Sequence, residues 1–308
     1  MTATSGGPLH LVVTCANRKR HAIPVDLHLR AVTQRRPAAR FAAWTARLDD
    51  SDSGRYSAVD LYAGEHWQIA RALTQTPAAK TAQLWIASAG YGLIPADAAI
   101  CAYAATFSVP ASDAVGVSVS EVADWWHRLS TWAGPAPDQP RSFAALAARD
   151  PDATVIAVLS AAYQRACGDD LLAAADLLDS DALSVVGPSN GHPLLVDMLV
   201  PVTATLQHTV GGSLQALNVR TTQYLLEHGA GTRRTALRYA AAAAAPDNPP
   251  TPRATGQRMS DAELVAYIHG HAHNSATQLL RQLRDTGRSC EQRRFAQLHR
   301  DVCGAHRP

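Results

Sequence analysis

Four short, nearly uninterrupted apolar runs constrain this chain most: Leu9–Thr14, Gln83–Ser88, Ala153–Leu159 and Ala182–Val186. They are rich in Val and Ile and lack the strict polar alternation of a half-solvated strand, so each predicts a strand buried on both faces. Between them lie stretches with helical spacing. Arg36–Leu48 is one; Leu61–Leu73, with Trp67, Ala70 and Leu73 on one side, is a second; Val119–Trp132, carrying Val122, Trp125, Trp126 and Leu129, is a third. Strands alternating with helices predict an α/β fold, a mainly parallel sheet with helices on both faces. At 308 residues, 47% hydrophobic and 18% charged, the chain can bury a sizeable core, and wholesale disorder is excluded.

The pattern changes after Gly211–Gly212, where only helices are expected. Ser213–His228 is amphipathic and stops at Gly229, Pro246–Pro252 reads as a linker, and a helix from about Ser275 turns Leu279, Leu280 and Leu283 inward. Ser260-Asp-Ala-Glu263 and Ser289-Cys-Glu-Gln292 have capping-box form. The division predicted is an α/β domain over 1–210 and a helical, basic region over 211–308, compatible with a helix-turn-helix-like unit. Charge follows the same division: of 28 basic and 26 acidic residues, 13 arginines and 7 acids lie from Leu206 onward. A basic attachment on a neutral-to-acidic body points to nucleic acid, although arginine also serves ordinary solvated helix faces.

Several classes are disfavoured. No apolar stretch is long enough to span a bilayer, and the first residues lack the basic start and apolar run of a secretion signal, so a soluble cytoplasmic protein is expected. The five cysteines are odd in number and never form CxxC, which disfavours a disulfide framework and a cysteine zinc site. No strand is followed by GxGxxG, and there is no GxxxxGK[ST] loop, so no nucleotide cofactor is expected, nor any other. His269, His271 and His273 would be spread around a helix and read as solvated histidines, not a metal cluster.

In α/β sheets, ligands sit beyond the carboxyl ends of strands. The loop after the first run carries Asn17, whose amide suits reading a base edge or holding a water, followed by Arg18, Lys19 and Arg20. An ordinary polar turn is the alternative. The second run ends in Ser88-Ala-Gly-Tyr91-Gly92, where glycines admit close backbone approach and the tyrosine can stack, or simply pack. Ser160 and Tyr163 follow the third run. The fourth ends in Gly187-Pro-Ser189-Asn190-Gly-His192, formally GxSxG, but Asn190, Gly191 and Pro193 oppose the helix that a nucleophile elbow requires. A phosphate-holding loop with Ser189, Asn190 and His192 fits better. Farther on, Arg281, Arg284 and Arg288 recur along one face opposite the leucines and could hold phosphates.

Three segments resemble a known family. Tyr62-Ala-Gly-Glu-His66, Ser88-Ala-Gly-Tyr-Gly-Leu-Ile94 and Ala102-Tyr-Ala-Ala-Thr-Phe107 resemble elements of the bacterial YaaA-like proteins over roughly residues 9–200. Ala102 and Ala104 stand where that family usually has proline and aspartate, so no role of that aspartate carries over. The order of loops is also similar to the uracil-DNA-glycosylase superfamily, and the chain resembles antiphage glycosylases that remove glucosylated hydroxymethylcytosine.

These resemblances imply a DNA glycosylase acting on a modified base, its substrate phage DNA, by base flipping and water attack. Asn17 would orient the water, Glu65 would be the carboxylate beside the glycosidic bond unless it caps its own helix, and Ser88, Tyr91 and Tyr103 would form the base pocket. Arg18, Lys19, Ser189, Asn190, His192, Arg281, Arg284 and Arg288 would contact DNA. Extruding the base costs a few kcal/mol, which such phosphate contacts offset. The alternatives are a non-catalytic DNA-binding protein of the YaaA-like type and a base-exchanging transglycosylase. The latter would need an aspartate nucleophile, for which Asp60 and Asp97 are the candidates.

Overall fold

The computed structural model describes residues 7–229, 231–246, 257–271 and 274–304. The chain divides into two compact units, Met1–Asn248 and Pro249–Pro308. The first contains strands β1 (Leu9–Thr14), β2 (Arg55–Ser57), β3 (Gln83–Ser88), β4 (Gly92–Pro95), β5 (Ala99–Cys101), β6 (Thr154–Val158), β7 (Leu183–Gly187) and β8 (Leu199–Pro201). Its helices are α1 (Pro37–Asp50), α2 (Ala58–Leu61), α3 (Glu65–Ala72), α4 (Val119–Thr131), α5 (Phe143–Arg149), α6 (Ala161–Ala175), α7 (Gln207–Val210), α8 (Leu217–His228) and α9 (Arg234–Ala244).

Six strands form one sheet in the order β4-β3-β1-β6-β7-β8, parallel throughout except for the β3–β4 edge pair. The α/β fold expected from the four apolar runs is the one observed. Every residue of β1, β6 and β7 is buried whichever way its side chain points, so both faces of the sheet are covered. The chain leaves β1 toward β3 on one side and leaves β6 toward β7 on the other. The connections therefore diverge at the β1/β6 boundary, the switch point outside whose carboxyl ends open α/β sheets bind their ligands.

Two expectations for this unit need correction. Leu61–Leu73 is not one helix: α2 ends at Leu61, and α3 starts only after Gly64, whose φ of 98° favours glycine and interrupts the turn. The boundary between units falls near Asn248, not at 210, because α8 buries Leu217, Val219, Thr221, Thr222, Leu225 and Leu226 and so completes the first core. The expected linker at 246–252 spans that boundary, though residues 247–252 lie outside the described residues.

The second unit holds α10 (Asp261–His269), α11 (Ala276–Asp285) and α12 (Gln292–Gly304), with β9 (Gln257–Arg258) paired in parallel to β10 (Arg288–Ser289). Leu264, Ile268, Leu279, Leu280, Leu283 and Phe295 form its core. Ser260 and Ser275 close full capping boxes with Glu263 and Gln278. Ser289, by contrast, pairs with Arg258 in the short sheet, and α12 begins after it. Arg288 also leaves the expected helical stripe: α11 ends at Asp285, and Gly287, at φ 76°, turns the chain into β10.

At the amino end of the sheet, an indole fixes a histidine tautomer. Trp85 Nε1 can only donate, and it donates to His10 Nδ1 at 3.2 Å, so the His10 proton sits on Nε2 and is donated to Asp150 at 2.9 Å. Burial pulls His10 below its ordinary value of 6.5, against the opposing pull of Asp150 and with a small assist from Arg149. His66 is lowered by burial as well. A depressed native pKa means the unfolded chain binds the proton first, so this stability is fully present above about pH 6.5 and is lost as pH falls through the native value. The thermal midpoint should therefore drop between pH 7 and 5, with a shallower slope in His10→Gln. An unchanged slope would remove His10 from the acid response.

Candidate active site

The carboxyl ends of β1 and β6 are bridged by side chains. Cys15, the first residue beyond β1, lies 3.0 Å from the hydroxyl of Tyr163, which α6 supplies just after β6. The next residues are zipped onto the segment between α2 and α3: Arg20 N–H donates to Leu61 O and Ala63 N–H to Arg18 O, both at 2.9 Å. Lys19 thus pairs with Tyr62, and strand alternation sends the two side chains the same way. Its ammonium sits 4.4 Å from the centroid of the Tyr103 ring and 5.6 Å from that of Tyr62.

Beneath Lys19 runs a chain of buried hydroxyls. Ser88, the last residue of β3, accepts from the backbone N–H of Gly90 (3.2 Å) and Tyr91 (3.0 Å). Both of its lone pairs are then occupied, so its own hydrogen must go to Tyr103 Oη, 2.6 Å away. Tyr62 Oη is 3.0 Å from Tyr103 Oη. With Tyr62 also donating, the Tyr103 oxygen accepts from two hydroxyls at once. Burial pushes Tyr62, Tyr103 and Tyr163 well above the ordinary tyrosine value, so all three remain protonated donors. Burial pulls the Lys19 ammonium below the ordinary lysine range, against the opposing charges of Cys15 and Asp113.

The turn after β3 is held from outside by three side chains. Trp125 Nε1 donates to Ala89 O at 2.9 Å, Trp44 Nε1 to Gly90 O at 3.0 Å, and the Arg141 guanidinium to Tyr91 O. A side chain at Gly90 would strike the Tyr103 ring, 2.4 Å from where its Cβ would stand. That contact is the physical reason for glycine in Ser88-Ala-Gly-Tyr-Gly. The hydroxyl chain therefore rests on a turn whose three carbonyls and the N–H groups of Gly90 and Tyr91 are all bonded, which holds it rigid.

The expected site residues separate into three groups. Ser88 and Tyr103 meet, as expected of neighbours in one pocket, but Tyr103 is fully buried, so its ring lies under Lys19 and has no open face for a base. Tyr91 is buried as well; its ring stacks on Trp132 and its hydroxyl accepts from Cys101 N–H, so it supports the turn. Asn17 is exposed on the rim, where its carbonyl accepts from Lys19 Nζ at 3.3 Å. Glu65 neither caps α3 nor stands free: its carboxylate accepts from Ser213 and, at 2.7 and 2.9 Å, from Arg220 on α8, which holds its pKa below the ordinary range. With Arg18, Arg20, Gln68 and Arg71 it lines an open cleft of about 760 Å³.

Ser189 and Asn190 are exposed on the loop after β7, and Arg165 donates to Asn190 O at 3.0 Å. The His192 ring packs against Gly168. That loop runs into a short 3-10 turn at Pro193–Leu195, and it borders a separate, largely apolar cavity of about 570 Å³. No described cavity joins Asn17, Tyr91 and Ser189. Arg281 and Arg284 are exposed on α11, and Arg288 is exposed in β10. Asp60 pairs with Arg71 at 3.5 Å, and Asp97 is exposed beyond β4.

Cys15, Tyr62 and Tyr163 were not among the expected site residues, and Lys19 was expected on phosphate, not over a ring. The available signal was positional: Cys15 and Tyr163 each follow a buried strand at the switch point, and Tyr62 opens the Tyr-x-Gly motif. Among the described residues no group of histidines, cysteines and carboxylates could hold a metal ion, although His273 lies outside them. No helix among them is long and apolar enough to cross a membrane. No protein-family model matches the chain, and no curated protein or solved structure matches it.

Proposed function

We propose that this chain is a DNA glycosylase that excises a modified base, with glucosylated hydroxymethylcytosine in phage DNA as the leading substrate. The observation that carries the reading is the convergence, at the switch point of a parallel sheet, of a lysine and a buried tyrosine–serine relay that opens to solvent at Cys15 and Lys19. Scission of an N-glycosidic bond puts positive charge on the sugar and negative charge on the departing base. A relay of protonated hydroxyls fixed in a low-dielectric interior would pass a hydrogen bond or proton to that negative charge from its open end at Cys15 and Lys19, with little reorganisation. The resemblance of the three motif segments to YaaA-like proteins and of the loop order to uracil-DNA glycosylases supports the same conclusion.

Exposed Arg18 and Arg20 on the rim, and Arg281, Arg284 and Arg288 in the second unit, are suited to phosphate. A base-exchange reaction is less well supported, because neither Asp60 nor Asp97 contacts the relay. The test uses duplex oligonucleotides carrying glucosylated hydroxymethylcytosine, hydroxymethylcytosine or unmodified cytosine. Release of free base with matching abasic sites, from the modified strand only, is the expected result. Binding that depends on salt but releases no base from any of them would make the chain a DNA-binding protein and overturn the proposal.

A further inference from the structure

We propose that Lys19 is the nucleophile of this site, forming a covalent imine with the deoxyribose it deglycosylates. The inference rests on the glycosylase reading and adds a chemical step to it. A water-only mechanism needs a group that holds and deprotonates water, and neither expected candidate is built for that. Asn17 is on the exposed rim, and Glu65 is bound by Ser213 and Arg220. Lys19 is placed differently. The residue is half-buried and its nitrogen stands over the Tyr103 ring at the mouth of the relay, with a long 3.3 Å bond to the backbone carbonyl of Asn17 as its one hydrogen bond among the described residues.

No carboxylate among the described residues lies within ion-pair distance of that nitrogen. Asp113, the carboxylate whose charge reaches it, is committed to Arg30 at 2.6 Å. A lysine partly withdrawn from water, without a counter-ion, has a larger fraction of nucleophilic amine near neutral pH than a surface lysine. The backbone pairing with Leu61 and Ala63 fixes where its chain begins, so the amine approaches the switch point along a defined path.

The step balances without an added oxidant or reductant. The Nζ lone pair attacks C1′, and the C1′–N bond breaks with its electron pair leaving on the base, which takes up a proton. The attached nitrogen, now an ammonium, loses one proton, and its freed lone pair expels O4′; O4′ takes up a proton as the sugar ring opens, and C1′=Nζ forms with loss of the second amine proton. Water hydrolyses this imine, restoring Lys19 and leaving an abasic site.

The experiment uses the full chain with a duplex oligonucleotide holding one preformed abasic site, so it does not depend on which base is removed. Sodium borohydride should reduce the imine to a stable amine and leave a protein–DNA adduct that peptide mapping assigns to Lys19. Lys19→Ala and Lys19→Arg should both lose that adduct, Arg retaining the positive charge, with circular dichroism confirming that each is folded. An adduct mapping elsewhere, or surviving both substitutions, or failing to form with the native chain, overturns the inference. Base release is scored separately on modified DNA: release without trapping leaves the glycosylase reading intact and assigns the attack to water. Trapping at Lys19 without release from any modified DNA supports the nucleophile and counts against the excision reading.

Discussion

Replacing Ser88 with alanine should destabilise the protein by about 2–5 kcal/mol, because three buried groups lose a partner at once, and the two N–H groups among them, left with no acceptor, cost about 1–3 kcal/mol each. Those groups are the N–H of Gly90, the N–H of Tyr91 and the hydroxyl of Tyr103, all bonded to one oxygen that is itself fully buried. Relief by rearrangement is blocked on both sides. The carbonyls of Ala89, Gly90 and Tyr91 are held by Trp125, Trp44 and Arg141, and Gly90 lies against the ring of Tyr103. Urea unfolding of the variant and the native chain measures the difference. A loss below about 1 kcal/mol, the net value of one ordinary hydrogen bond, would show that the serine is not the shared acceptor and that the relay has no fixed direction.

The sheet was legible in the sequence because its strands are buried on both faces, which leaves a run of apolar residues with no competing period. The edge pieces were not. β4 reads as Gly-Leu-Ile-Pro, and β8 is three residues long, so their pairing is imposed by neighbours and not by local pattern. The helix expected over Leu61–Leu73 failed at Gly64, where a positive φ outweighed otherwise unbroken helical spacing.

The site was half legible for a related reason. Ser88 and Tyr103 lie in motif segments, and their meeting was foreseeable. What a motif does not carry is direction: the sequence of Tyr91 and Tyr103 looks equally suited to stacking on a base, but burial turns one into a support for the turn and the other into the shared acceptor of two hydroxyls beneath Lys19. Glu65 looked available because its partner Arg220 is 155 residues away. Ion pairs across that separation have no local signature. Cys15, Lys19 and Tyr163 become a group only once β1 and β6 are adjacent, a fact of topology and not of spacing.

Tyr103→Phe should separate catalysis from folding. The ring remains, so its contacts with Tyr91, Trp44 and the Lys19 ammonium are retained, and only the hydroxyl is removed. Ser88 then loses its acceptor and Tyr62 its partner, while the two N–H groups of the turn keep the serine oxygen. The stability cost should accordingly be about 2–4 kcal/mol, since two buried hydroxyls lose their partner. The effect on turnover is read separately, in protein that circular dichroism shows to be folded. If the relay supplies the proton or hydrogen bond that the departing base needs, its interruption should slow base release by about 10²-fold or more, the range of a positioned general acid. Single-turnover release from modified DNA at saturating protein measures this without interference from affinity. Borohydride trapping on preformed abasic DNA, which needs no departing base, should continue at near-native yield in the same variant if Lys19 is the nucleophile. Native rates of release by Tyr103→Phe would confine the hydroxyl chain to a structural role.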